Sequence, residues 1–117
     1  MAKVDKYFRL ARQTATRGDT KEARRQFRLG AVGIRNDGTI VTSSNLPVRQ
    51  PDGYAHAEAR LVRKLDWDSE VFVVRITRNG LMANSRPCLH CQATMRLRGV
   101  KQVFYSISET EFGVLKL

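Results

Sequence analysis

The sequence predicts an α/β protein in which helices alternate with short strands, and three observations carry that prediction. Helical periodicity occurs at the N-terminus, in YAHAEARLVRKL from Tyr54, and after Pro87. Short β-branched and aromatic runs separate these segments, and Asn36-Asp37-Gly38 supplies a turn signal between two of the runs. At 117 residues the chain suits a single domain, 1-117, with one core.

In KVDKYFRLARQ, Val4, Tyr7, Phe8 and Ala11 follow the i, i+3, i+4, i+7 spacing, while Lys6, Arg9 and Arg12 fall opposite. An amphipathic first helix follows. RGDTKEARRQ interrupts it; Asp19 with Glu22 could cap a short helical turn carrying Arg24 and Arg25, or the segment is a basic loop. FRLGAVGIRNDGTIVTSSN then holds two apolar runs joined by the tight turn, the first two strands of a hairpin. Two prolines and a glycine in LPVRQPDGY indicate a loop leading to the helix at His56.

On that helix Ala57, Leu61, Val62 and Leu65 share one face, and Arg60, Arg63 and Lys64 the other. EVFVVRI, bounded by DWDS and RNG, reads as a buried strand, with Trp67 as a packing residue near the helix end. In PCLHCQATMRLRG a proline stands where a first helical residue is tolerated and a glycine where a helix stops, which puts Cys88 and Cys91 in the first turn. VKQVFYSIS is a further strand. The remaining residues are too few for a crossover helix, so GVLKL, as a fifth strand, must return antiparallel.

No apolar stretch approaches the ~20 residues of a membrane span, and MAKVDKYFRLARQ lacks a signal-peptide run, so a cytoplasmic location and no membrane partner are expected. The formal net charge of +10, from 21 Lys and Arg against 11 Asp and Glu, favours polyanionic or phosphorylated partners; a solvated basic surface is the plainer alternative.

The two cysteines stand three residues apart, a spacing suited to a metal or redox role more than to a scaffold disulfide. His56, Cys88 and Cys91 supply the three protein ligands usual for catalytic zinc, which leaves a fourth position for water. His90 competes as a ligand, but on a helix it points roughly 200° from Cys88. It reads as exposed or supporting. Glu58, two residues from His56, suits a proton shuttle: zinc lowers the pKa of bound water toward neutrality, and a nearby carboxylate can accept the proton.

H-x-E followed by P-C-x-x-C is the signature of zinc-dependent nucleobase deaminases. From about Phe27 onward the chain resembles the cytidine deaminase superfamily, and FRLGAVGIRNDGTIVTSSN is similar to the F-x-V-G-A stretch of free-nucleoside members. The resemblance implies a three-layer α-β-α cytidine deaminase-like fold, with a mixed five-stranded sheet, helices on both faces and an antiparallel final strand pair. It implies further that Phe27 packs on the pyrimidine, that Asn45 binds the sugar, that the amide of Ala57 contacts the base and that the amide of Cys88 helps orient the attacking water. Family members commonly assemble into homo-oligomers. The antiparallel ending resembles the cytidine branch more than the tRNA adenosine branch.

One position departs from the family. Many nucleoside deaminases carry N-x-E at the sugar, whereas this chain has Pro47 two residues after Asn45. Loss of that carboxylate in a basic chain suits a phosphorylated substrate. Phe27 could instead be core, Asn45 a loop cap, and Tyr54 either pocket lining or packing.

The leading expectation is a zinc-dependent hydrolytic deaminase that converts the cytosine of a nucleoside or nucleotide to uracil with release of ammonia. The alternative is the same reaction on single-stranded DNA or RNA, with the basic first helix, Arg24, Arg25, Arg28 and the outer face of the second helix holding phosphates. A third is a non-catalytic, zinc-containing nucleic-acid-binding module. Against the third, a structural zinc has no use for Glu58.

Overall fold

The computed structural model describes residues 2–16, 28–44, 61–77 and 79–117. Helix α1 spans Ala2–Thr16, and strands β1 and β2 span Arg28–Ile34 and Ile40–Ser44. Strand β3 is Glu70–Ile76, β4 is Met82–Ala83, helix α2 is Leu89–Arg98, β5 is Gln102–Ser106 and β6 is Phe112–Lys116. The expected turn at Asp19 to Glu22, the proline loop and most of the helix from His56 lie outside the described residues; Leu61 and Val62 are helical at its end.

The sheet runs in the order β2-β1-β3-β5-β6, with β4 paired to β3 beside that path. β3 and β5 are parallel, whereas β5 and β6 pair antiparallel from Gln102↔Lys116 to Ser106↔Phe112, as expected for GVLKL. The sixth strand was not expected. RNG marks a strand boundary in the sequence, but Thr77 N donates to Leu81 O at 2.9 Å and turns the chain back. Two pairs result, Arg75↔Ala83 and Ile76↔Met82. The β1–β2 hairpin closes where the turn residues predicted, with Arg35 N donating to Thr39 O at 2.9 Å.

Strand side chains alternate between two layers because the pleat has a period of two. On one face Val32, Phe72, Val74, Ile76 and Phe104 pack against Val4, Phe8, Ala11 and Ala15 of α1. These α1 positions extend the predicted stripe by one turn. Phe72 and Phe104 are register partners and stack at 4.6 Å, and Phe8 meets Phe72 edge-on at 5.7 Å. Full burial of one such ring contributes about 1.5–3 kcal/mol. α1 lies directly on β1 because residue 30 is glycine: a Cβ there would come within 2.1 Å of Ala11 O.

On the other face Ala31, Val71, Val73 and Val103 pack against Leu61 and Leu65, and against Cys91 and Met95 of α2. The arrangement is therefore three-layered, with helices on both sides of a mixed sheet. Helix α2 ends at Gly99, which takes φ 87° and returns its N–H to Arg96 O and Met95 O, the glycine stop that the sequence indicated. Trp67 differs from expectation. It remains 74% exposed, with only one side of its ring laid on Gly99.

Candidate metal centre and active site

The described part of the site is the approach to α2 and its first turn. Helix α2 connects the parallel strands β3 and β5, so its N-terminus lies near the carboxyl ends of those strands, where open α/β sheets place their ligands. Ser85 anchors the approach from within the protein. Its Oγ donates to Val73 O at 2.8 Å and to Ser106 O at 3.1 Å, and its N–H donates to Ser106 O at 2.8 Å. Ser106 Oγ in turn donates to Ala83 O and meets Ser85 Oγ at 2.9 Å. This buried hydroxyl pair ties the segment after β4 to the middle of β3 and to the end of β5.

Pro87 is buried, one residue before the cap, and not at the first helical position that the sequence suggested. The correction has a backbone cause. Cys88 is extended, at φ −67° and ψ 164°, as the cap residue must be, so the helix begins at Leu89. Cys88 O accepts the Gln92 amide at 2.9 Å, and Gln92 Nε2 donates to Pro87 O at 2.8 Å, so the first turn grips the residues before it. The Cys88 thiol makes no capping hydrogen bond and is exposed. It is left for other chemistry.

Cys91 is three residues on, at the third helical position, and is 1% exposed within the core layer that also holds Leu61 and Leu65. The two sulfurs thus belong to one helix end, one facing solvent and one facing the core. Among the described residues no three His, Cys, Asp or Glu side chains form a metal-binding group. Cys88 and Cys91 are two of the three expected ligands; His56, with Glu58, Phe27, Asn45, Ala57 and Tyr54, lies outside the described residues. Two unbridged thiols at a helix N-terminus, where backbone N–H groups favour anionic donors, suit zinc as a pair of thiolate ligands. His90 is exposed, as expected for a residue turned from the core.

The expected phosphate contacts fare unevenly. Arg28 is buried, and its Nη2 donates to Thr77 O at 2.8 Å, so it supports the β1–β3 end and does not offer a surface cation. Arg9 of α1 and Arg63 are exposed. Arg12 is engaged: Nη1 meets Glu109 Oε2 at 3.0 Å and Nη2 donates to Gly80 O. Glu109 is held below the ordinary carboxylate pKa, first by the Met82 amide and then by Arg12.

Nothing in the sequence marks Ser85, Gln92 or Ser106. Isolated serines and a glutamine on a helix carry no pattern in the sequence.

Fold and thiol pair together define a three-layer α/β protein with two unbridged cysteines at the N-terminus of a crossover helix. A family model described as the cytidine and deoxycytidylate deaminase zinc-binding region matches residues 1–107, and the chain belongs to that family. Among solved structures, cytidine deaminase from Mycobacterium leprae is similar at 19% identity and TM-score 0.60, over 94% of this chain and 91% of that one. A mutant cytidine deaminase from Mycobacterium tuberculosis is similar at 19% identity and TM-score 0.55, over 87% of this chain and 83% of that one. At such identity these likenesses establish the fold. A search of curated proteins finds no match. No described helix is long and apolar enough to cross a membrane.

Proposed function

We propose that this deaminase is zinc-dependent and hydrolyses the exocyclic amine of a cytosine nucleoside or nucleotide, giving the uracil counterpart and ammonia. The observation that carries the proposal is the placement of Cys88 and Cys91 at the N-terminus of α2, one thiol uncommitted and the other buried, in a chain of the deaminase family. His56 is the third ligand in this reading. Zinc, when bound, supplies a Lewis acid that brings the pKa of water toward neutrality.

The protein's own groups do the rest. Glu58 takes a proton from water and delivers protons to the ring nitrogen and to the departing amine. The Ala57 amide and Phe27 orient the base, Asn45 holds the sugar, and the Cys88 amide orients the attacking water. Pro47 in place of a sugar-binding carboxylate, together with the +10 charge, favours a phosphorylated substrate. The chain works as a homo-oligomer in the cytoplasm; light scattering that gives a monomer would remove the first part, and fractionation away from the cytosol the second.

The test is a mass-spectrometric deamination assay of zinc-loaded protein against cytidine, deoxycytidine, their monophosphates, and cytosine-containing single-stranded DNA and RNA. Turnover of the small molecules, fastest on the monophosphates, is expected, with Glu58→Ala slower by about 10²–10⁴-fold at unchanged zinc content. Turnover confined to the strands would replace this substrate assignment. Full activity of Glu58→Ala would end the proton-transfer role.

A further inference from the structure

We infer that Trp67 is a base-stacking platform for single-stranded nucleic acid, at the end of α2 away from the thiols. Trp67 is the only tryptophan, and a ring of this size is seldom left 74% exposed in a protein that has a core to put it in. It is also held in place. A Cβ on Gly99 would come within 2.2 Å of the indole, so the ring rests on bare backbone with its other side turned to solvent. Asp68 N donates to Gly99 O at 2.7 Å, and Asp68 adopts φ 68°, an uncommon conformation that fixes the turn presenting the ring.

The surroundings favour a polyanion. Arg98 Nε donates to Leu65 O, which sets that guanidinium beside the Trp67 segment on one side, and the Lys101 amide donates to Ser69 O on the other. Arg96 lies one helical turn before Gly99, and Arg63 four residues before Trp67; all four cations are exposed. Among the described residues of these segments three acids stand against them, of which Glu70 accepts a hydrogen bond from Gln102 Nε2 at 2.7 Å. Asp66 is occupied by the Asn36 amide, Ser69 Oγ and Arg35, and Asp68 faces solvent. An exposed aromatic face with cations on the neighbouring segments is a recurring means of holding a strand through bases and phosphates together. The 10 residues of α2 separate the platform from Cys88 by about 15 Å, so strand binding is independent of the deaminase reading.

Short oligothymidylate and oligouridylate, which lack cytosine, test the platform without engaging the reaction. Either strand should quench the single-tryptophan fluorescence at low salt. By anisotropy of a labelled strand, Trp67→Ala should bind about 5- to 150-fold more weakly and Trp67→Phe close to native. Lys101→Ala should weaken binding and lower the salt slope by about one. A preference between the two strands would separate a DNA platform from an RNA one. Unquenched fluorescence, or equal affinity of Trp67→Ala and native protein, would overturn the inference. So would an emission that shifts with protein concentration alone, which would assign the patch to a second copy of the chain.

Discussion

The two faces of the sheet are built from different materials. The α1 face is aromatic and self-contained: Phe104 stacks on Phe72, Phe8 meets that ring edge-on and Tyr7 meets it tilted, and α1 lies flush on Gly30. The α2 face is aliphatic, with small residues, and it admits a thiol into the core. Its helix leaves Leu89 at 82% and Leu97 at 88% exposure, so it is only half spent on packing. One face stabilises the sheet; the other spends burial to place reactive groups at a helix end.

The sharpest way to break that division is Phe72→Ala. Phe72 is fully buried and meets three aromatic rings, so the substitution should cost about 3–5 kcal/mol in denaturant unfolding, with zinc content per folded molecule unchanged. Loss of zinc from the folded fraction would show that the α1 face also shapes the site. Gly99→Ala is the next test. A side chain there meets the left-handed φ of 87° and the Trp67 ring, so a loss of about 1–3 kcal/mol and a changed tryptophan emission are expected. A neutral result would mean that the ring is not seated on residue 99.

A smaller effect belongs to Asp66, which links the β1–β2 turn to the residues entering β3. The Asn36 amide first, and then Ser69 Oγ, hold its carboxyl below the ordinary pKa. A group depressed in this way stabilises the fold fully above its unfolded value of about 4, and that contribution fades as pH falls through the folded value. Asp66→Asn should therefore be less stable than the native protein at neutral pH, and the gap should close in acid. A gap independent of pH would mean that the carboxylate charge has no part in the link.

What was legible in the sequence follows from how local each signal is. The hairpin turn, the buried EVFVVRI run, the α1 stripe and the antiparallel tail are stated by neighbouring residues or by simple chain length, and they hold. The two-residue β4 is too short to show a period. Helix α2 starts two residues later than the proline suggests, at Leu89, because Cys88 takes the extended cap conformation. Arg12 and Glu109 stand 97 residues apart, and nothing local joins them. The motif pointed to Cys88 and Cys91, which the fold places at one helix end, but not to Ser85 and Ser106, whose role is visible only once β3 and β5 lie side by side. Exposure of Trp67 was illegible for the same reason, since it depends on the bare backbone of Gly99 beneath it.

In the proposed site, zinc is held at the start of α2 by the buried Cys91 and by Cys88, the one of the two thiols that the fold can lose. Zinc per chain, measured by elemental mass spectrometry on native protein and on Cys88→Ala with circular dichroism alongside, tests it most directly. Cys88 is exposed and caps no backbone amide, so its loss should leave the fold intact. The native protein should carry about one zinc per chain and the folded variant close to none. A folded Cys88→Ala protein with native zinc content, or a native protein that takes up no zinc at all, would contradict the account.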